Sequence, residues 1–298
     1  MIGGIDLGGT KIEARLFDDA LAEVARHRIP TPVVSYEAML GGILSQVRWL
    51  EQQGDLQAIG LGTPGLINPD TGVMLTANLP ATGQTLGRDI SKLAGREIAI
   101  INDCRAFTLS EAKMGAGAAF ANVIGLIIGT GVAGGQAVAG RLLTDMNGQH
   151  GEYGHLPLSA DIVAKHDLPL VQCGCGLMGC FETYLSGPGL VALAALKTGR
   201  TATTQEIMET DTFAEVRAIW LDIAAGLIAV LTRVADPQAI VLGGGLGTLP
   251  WLPEQLVRSL DGKLLAGTKP PVILNAFHGD ASGALGAALH VCDLGDGQ

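Results

Sequence analysis

The chain has 298 residues, 48% of them hydrophobic and 16% charged, and a formal net charge of −10. That balance describes an ordered globular protein long enough for two domains and excludes a disordered chain. It leaves no basic stripe for a phosphate backbone, so nucleic acid is not an expected partner.

The first predicted elements surround DLGGTKIEARLFD, Asp6 to Asp18. Ile2, Ile5 and Leu7 precede a Gly-Gly-Thr-Lys turn, after which Ile12, Ala14 and Leu16 alternate with Lys11, Glu13 and Arg15. A period of two is that of a half-buried strand, so the stretch reads as strand, tight turn, strand. The usual phosphate loop has a helix after its glycines, and here a strand follows. Such a tip has two readings: a plain hairpin, or a turn whose backbone N–H groups and Thr10 hydroxyl approach an anion. Met1 leads directly into the first strand, so no signal peptide is expected.

Further along, QAIGLGTPG is a strand ending in a turn at Gly62, Thr63, Pro64 and Gly65. EIAIINDCRAFTLSEAKMG runs from a strand, Ile98 to Ile101, into a helix, with Asn102 and Asp103 at the junction. Asp103 reads either as the cap of that helix or as a carboxylate placed to accept a hydroxyl proton. The opening pattern then recurs in NVIGLIIGTGVAGGQAVAG, about 120 residues later: strand, Gly129-Thr130-Gly131 turn, strand. Two such hairpins point to two similar halves, each offering a phosphate-contacting turn, with a nucleotide held in a cleft.

CGCGLMGCFE, Cys173 to Glu182, places three thiols within eight residues. Cys173, Cys175 and Cys180 suit one tetrahedral zinc that needs a fourth ligand, with His155 of HGEYGHL the natural candidate and His150 and His166 its competitors. A closed site of three cysteines and one histidine is structural, so the zinc is expected to shape a loop that holds Glu152 and Glu182 rigidly. Cys104 and Cys292 are isolated and expected to be buried; five cysteines without a secretion signal imply a reducing cytoplasm and no disulfides. A long helix is predicted from Phe213 to Val234, then a buried strand in QAIVLGGGLG with Gly243, Gly244 and Gly245 at its end. Six glycines break the apolar run from Val123 to Gly140, and Asp222 and Arg233 interrupt Leu221 to Val234, so no membrane span is expected. Strands alternating with helices make the class α/β, with ligand sites outside the strand ends.

DLGGTK, GTPG, ND, GTGVAGG, HGEYGH and CGCGLMGCFE, in this order, resemble the ROK family of bacterial sugar kinases and repressors, from Asp6 to HGDASGALGAA near the C-terminus. The resemblance implies the actin-like, or ribonuclease H-like, ATPase fold, with two domains around a cleft. These would be a small domain, 1–118, to which a C-terminal helix, 281–298, returns, and a large domain, 119–280, with the zinc loop. It assigns Asp103 as the base that takes the proton of a sugar 6-hydroxyl attacking the γ-phosphate of ATP. Asp6, Gly8, Gly9, Thr10 and Lys11 match the first phosphate segment, Gly129, Thr130 and Gly131 the second, and Gly243 to Gly245 the adenosine side. Glu152, His155 and Glu182 match sugar-binding positions, joined by Asn78, Asn102, Asp103 and the Gly62 to Gly65 turn. His155 would bind sugar and zinc together, completing the site of Cys173, Cys175 and Cys180. Magnesium would accompany ATP, with Asp6 its indirect partner.

Within the family, GHLPLSADIVAKHDLPLVQCGCGLMGCFETYLSGPGL, IPTPVVSYEAML and HGDASGALGAA resemble most closely the members that act on N-acetylglucosamine. N-acetylmannosamine, fructose and glucose are the alternative substrates, and a sensing module without catalysis is a further one. The repressors add a DNA-binding segment before the phosphate motif, which begins here at Asp6. Two departures from the family pattern are Ala133, where glycine is usual, and Cys104-Arg105 after Asp103. A cytoplasmic homodimer with sugar and ATP as its small-molecule partners completes the expectation.

Overall fold

The computed structural model describes residues 1–144 and 146–295. By compactness the chain divides into two units, one of Met1–Gly115, Gly135–His150 and His278–Gln298, the other of Ala116–Gly134 and Gly151–Phe277.

The first unit opens with the expected hairpin, β1 (Ile2–Leu7) and β2 (Lys11–Phe17), and continues through β3 (Glu23–Pro30), α1 (Tyr36–Gln52), β4 (Ala58–Thr63), β5 (Leu66–Ile67), β6 (Met74–Leu75), α2 (Leu86–Ala94), β7 (Ala99–Asn102) and α3 (Asp103–Met114). Five of these strands form a sheet in the order β3-β2-β1-β4-β7, antiparallel through the first three and parallel from β1 to β4 to β7. Alternation along β1 sends Ile5 and Leu7 into the core under α1, with Ile12, Met39, Ile43 and Val47. Gly4 and Asp6 therefore face the other side of the sheet. The helix α1 starts where the Ser35 hydroxyl accepts the Ala38 N–H at 3.1 Å.

The polar face of β2 is a correction to the half-buried strand expected from its alternation. Glu13 and Arg15 are only 1% and 4% exposed. They are tolerated because they pair: Arg15 Nε donates to Glu13 at 2.7 Å, and Arg28 and Glu23 on β3 close the network. Burial opposes ionisation of Glu13, but Arg28 and Arg15 outweigh it and hold the carboxyl below its ordinary range.

The second sheet has the order β10-β9-β8-β11-β12, built from β8 (Asn122–Ile128), β9 (Val132–Val138), β10 (Arg141–Leu142), β11 (Ala239–Gly243) and β12 (Val272–Asn275). β8 pairs in parallel with β11, and β11 with β12, so the pattern of the first sheet is repeated. The chain passes from the second unit to the first within β9, between Gly134 and Gly135. Helices α4 (Ala160–His166), α5 (Glu182–Leu185), α6 (Gly187–Thr198), α7 (Thr204–Glu209), α8 (Ala214–Ala235), α9 (Gly244–Gly247) and α10 (Leu252–Ser259) complete the second unit. The segment Asp211–Ala235 is long and apolar enough to cross a bilayer, yet 61% of its apolar window is buried, and Ile223, Leu227 and Leu231 belong to the core of this unit.

The last helix, α11 (Ser282–Gly295), belongs to the first unit and packs on β1, β4 and α3; positions 296–298 of the expected C-terminal helix lie outside the described residues. Close approach depends on Gly4 and Gly60, where a Cβ would stand 1.9 Å from the carbonyl oxygens of Ala284 and Ala287. Of the two isolated cysteines, Cys104 is buried as expected, whereas Cys292 is half-buried, its thiol donating to the Ala288 carbonyl at 3.2 Å.

Candidate active site

In the first unit the end of β1 delivers Asp6, and the β7–α3 junction delivers Asp103. Both carboxylates are half-buried, and they are close enough for the charge of Asp103 to act on Asp6. Burial, then the Asp103 charge, pushes the Asp6 carboxyl up to about 6, against the pull of Lys11. Burial likewise raises Asp103, although its Oδ1 accepts the Cys104 N–H at 2.8 Å. A carboxylate with a raised pKa is the stronger base once it has lost its proton.

Asn102 is the N-cap of α3: its Oδ1 accepts the Arg105 N–H at 3.1 Å, while its Nδ2 donates to the Gly65 carbonyl at 3.0 Å. It thus fastens the Gly62–Gly65 turn to the helix that carries Asp103. The first glycine turn is closed by Gly8 N–H donating to the Lys11 carbonyl at 2.9 Å, and the Thr31 hydroxyl holds the Gly8 carbonyl at 2.7 Å. Asn78 stands beside Gly9, its Cβ 3.9 Å from where a Cβ on Gly9 would be. Thr10 is exposed, and the Lys11 ammonium lies 3.2 Å from the Asp280 carboxylate. Asp280, in HGDASGALGAA, carried no signal of this pairing in its local sequence.

In the second unit the Gly129-Thr130-Gly131 turn is closed by the Gly129 N–H donating to the Gly131 carbonyl at 2.9 Å. At the end of β11, Gly244 takes φ of +79°, and a Cβ there would meet the Ile128 carbonyl oxygen at 2.6 Å. Gly243, Gly244 and Gly245 thus lie against the strand that leads into the second turn. Glu182, at the start of α5, accepts the Val132 N–H at 2.8 Å through Oε2. Glu152 Oε2 is 3.5 Å from His155 Nε2.

His155, Cys173, Cys175 and Cys180 come together, with all four donor atoms within 4.8 Å of one another. Cys173 Sγ is 3.6 Å from His155 Nδ1, and Cys175 Sγ is 3.7 Å from Cys180 Sγ. Bonds of about 2.3 Å to sulfur and 2.0 Å to nitrogen place the corners of a zinc tetrahedron about 3.5 to 3.8 Å apart. The donor set and its spacing therefore fit zinc, which these four residues would hold through Nδ1 and three thiolates. Of the rival histidines, His166 is turned to Asp222, with Nε2 and Oδ2 2.6 Å apart, and His150 is not in the cluster. A metal on Nδ1 would leave the His155 Nε2 edge facing Glu152.

The predicted site residues fall into two groups, one on each unit. Asp6, Gly8 to Lys11, Gly62 to Gly65, Asn78, Asn102 and Asp103 belong to the first; Gly129 to Gly131, Glu152, His155, the three cysteines, Glu182 and Gly243 to Gly245 belong to the second.

The chain as a whole is similar to known proteins. The chain is 38% identical over 312 residues to an N-acetylgalactosamine kinase, AgaK, of Shewanella sp. (strain ANA-3), covering 99% of this chain and 98% of that protein. It is 39% identical over 303 residues to an N-acetyl-D-glucosamine kinase of Pectobacterium atrosepticum, covering 98% and 100%. The crystal structure of a ROK hexokinase from Thermus thermophilus superposes with a TM-score of 0.87 at 30% identity over 99% of both chains. The ROK family model matches residues 2–293, and with this fold, this order of motifs and this cysteine-histidine cluster, the chain belongs to the ROK family.

Proposed function

We propose that the chain transfers the γ-phosphoryl group of ATP to the 6-hydroxyl of N-acetyl-D-glucosamine. The observation that carries the reading is Asp103, a carboxylate of raised pKa at the start of α3, in a chain whose full-length relatives include N-acetylhexosamine kinases. Asp103 accepts the hydroxyl proton as O6 attacks the γ-phosphorus; the new O–P bond forms while the bond to the β-phosphate oxygen breaks, and ADP leaves. The Cys104 N–H holds one oxygen of Asp103 in place, and Asn102 holds the turn beside it.

The backbone N–H groups of Gly8 to Lys11 and Gly129 to Gly131 would receive phosphate oxygens, and Gly243 to Gly245 would border the adenosine. Glu152, His155, Glu182, Asn78 and the Gly62–Gly65 turn would bind sugar hydroxyls. Mg2+ bound with ATP supplies positive charge against the phosphates, and the mutually repelling Asp6 and Asp103 carboxylates fit a neighbouring cation, with Asp6 its indirect partner. Zinc held by His155 and the three cysteines would fix the segment between Glu152 and Glu182. On this reading the two compact units are the two working domains, and the enzyme is a cytoplasmic homodimer.

A second substrate is favoured by a specific observation, the full-length similarity to an N-acetylgalactosamine kinase. That sugar differs from N-acetylglucosamine only at C4, and it adds to N-acetylmannosamine, fructose and glucose. Discrimination among such sugars rests on a few contacts. ADP release with MgATP and each of the five sugars, compared as kcat/KM, tests the reading. Preference for N-acetylglucosamine is expected; preference for N-acetylgalactosamine would transfer the assignment to it, and turnover of none would refute the kinase.

A further inference from the structure

The segment Glu182 to Gly187 grips the second glycine turn at both ends. Where the chain leaves β8, the Gly187 N–H donates to the Gly129 carbonyl at 2.7 Å; where it enters β9, Glu182 Oε2 accepts the Val132 N–H at 2.8 Å. The carboxylate can reach Val132 because position 131 has no side chain: a Cβ on Gly131 would lie 2.9 Å from Oε2. Glu182 stands two residues beyond Cys180, so the fastening begins at the metal cluster.

A Gly-Thr-Gly turn has no side-chain packing of its own at its two glycines, and its backbone must be ordered whenever it receives a ligand. An anchor already in place removes part of that ordering cost at binding. We infer that Glu182 is a positioning residue for the nucleotide, setting the N–H groups of Gly129 to Gly131 through its hold on Val132. The zinc-pinned segment then shapes the phosphate turn as well as the sugar side. The naming of the ligand as a nucleotide rests on the kinase reading; the hydrogen bonds do not. If a sugar hydroxyl also engages Glu182, the two ligands are linked within this unit alone, and each alters the affinity of the other by the same factor.

The test is binding of a non-hydrolysable MgATP analogue to the zinc-loaded full chain, by calorimetry and without sugar. Glu182→Gln keeps a carbonyl oxygen at the same reach, so its affinity should stay within about two-fold of wild type although the charge is gone. Glu182→Asp is one methylene too short and should lose roughly ten-fold. Gly131→Ala pushes the carboxylate off Val132 and should reproduce that loss, with the Glu182→Asp/Gly131→Ala double variant no weaker than the worse single one. Zinc content and melting temperature, read on every sample, separate these effects from misfolding. Equal analogue affinity in Gln, Asp and wild-type proteins would overturn the inference, as would a Gln variant as weak as Asp. A wild-type chain that bound no analogue would refute the kinase reading, and this inference with it.

Discussion

Asp6 and Ile127 occupy the same place in the two sheets. Asp6 stands opposite Gly62 across β1 and β4, and Ile127 stands opposite Gly243 across β8 and β11. Each residue is followed by one apolar residue and then the glycine turn. In the first unit this position carries a carboxylate that Asp103 repels; in the second it is apolar, and the turn is fastened by the Gly187 N–H on Gly129 and by Glu182 on Val132. A repeated backbone has thus been equipped in two ways. One copy holds ionisable groups whose closeness costs stability, and the other gives its polar atoms to holding a turn and a metal cluster in place.

The comparison is broken most readily at Asp103. Asp103→Asn keeps the size of the side chain but removes the proposed base, and kcat should fall by about 100-fold to 10,000-fold with sugar affinity nearly unchanged. A variant retaining most of its kcat in steady-state assays would mean that the first unit does not hold the reacting carboxylate.

The second unit should respond to loss of metal rather than of charge. Cys175→Ser, or chelation, should remove about one equivalent of zinc, weaken sugar binding, and lower the melting temperature by on the order of 5 °C. A purified chain without zinc by elemental analysis, or a Ser variant with unchanged sugar affinity and melting temperature, would leave the loop without its proposed pin.

A smaller effect sharpens the contrast by pH. The Asp6 carboxyl is held at about 6 against an ordinary 3.8, so the folded state binds this proton more tightly than the unfolded one. Its contribution is present below pH 3.8 and lost as pH rises through 6. Asp6→Asn should therefore stabilise the metal-free chain by about 1 to 2 kcal/mol at pH 8 and by almost nothing at pH 4. Thermal melts across that range check it; a variant that is destabilised at pH 8 would mean that the two carboxylates do not oppose each other.

Local pattern made much of the molecule legible. Alternation and glycine turns placed both hairpins, because a period of two and a Gly-rich tip are properties of neighbouring residues. The long helix was expected at Phe213 to Val234 and spans Ala214–Ala235. The cysteine spacing announced a tetrahedral site, since the ligands lie close along the chain. Ser35 with the apolar series Met39, Ile43 and Val47 is a local signal of α1 as well. The four-residue β12 was not anticipated, because its place as a parallel neighbour of β11 depends on a strand far away in sequence.

The sequence by itself therefore determined the fold class, the two glycine turns, the presence of Asp103 at a strand end and the three cysteines of the metal cluster. Which histidine joins the cysteines, the burial of Glu13 and Arg15 between paired charges, the repulsion of Asp6 by Asp103 and the hold of Glu182 on Val132 were decided only by tertiary structure. The reason is physical: hydrogen bonds, burial and charge act over a few ångströms of space. Glu182 and Val132 are neighbours by that measure, although 50 residues of chain separate them.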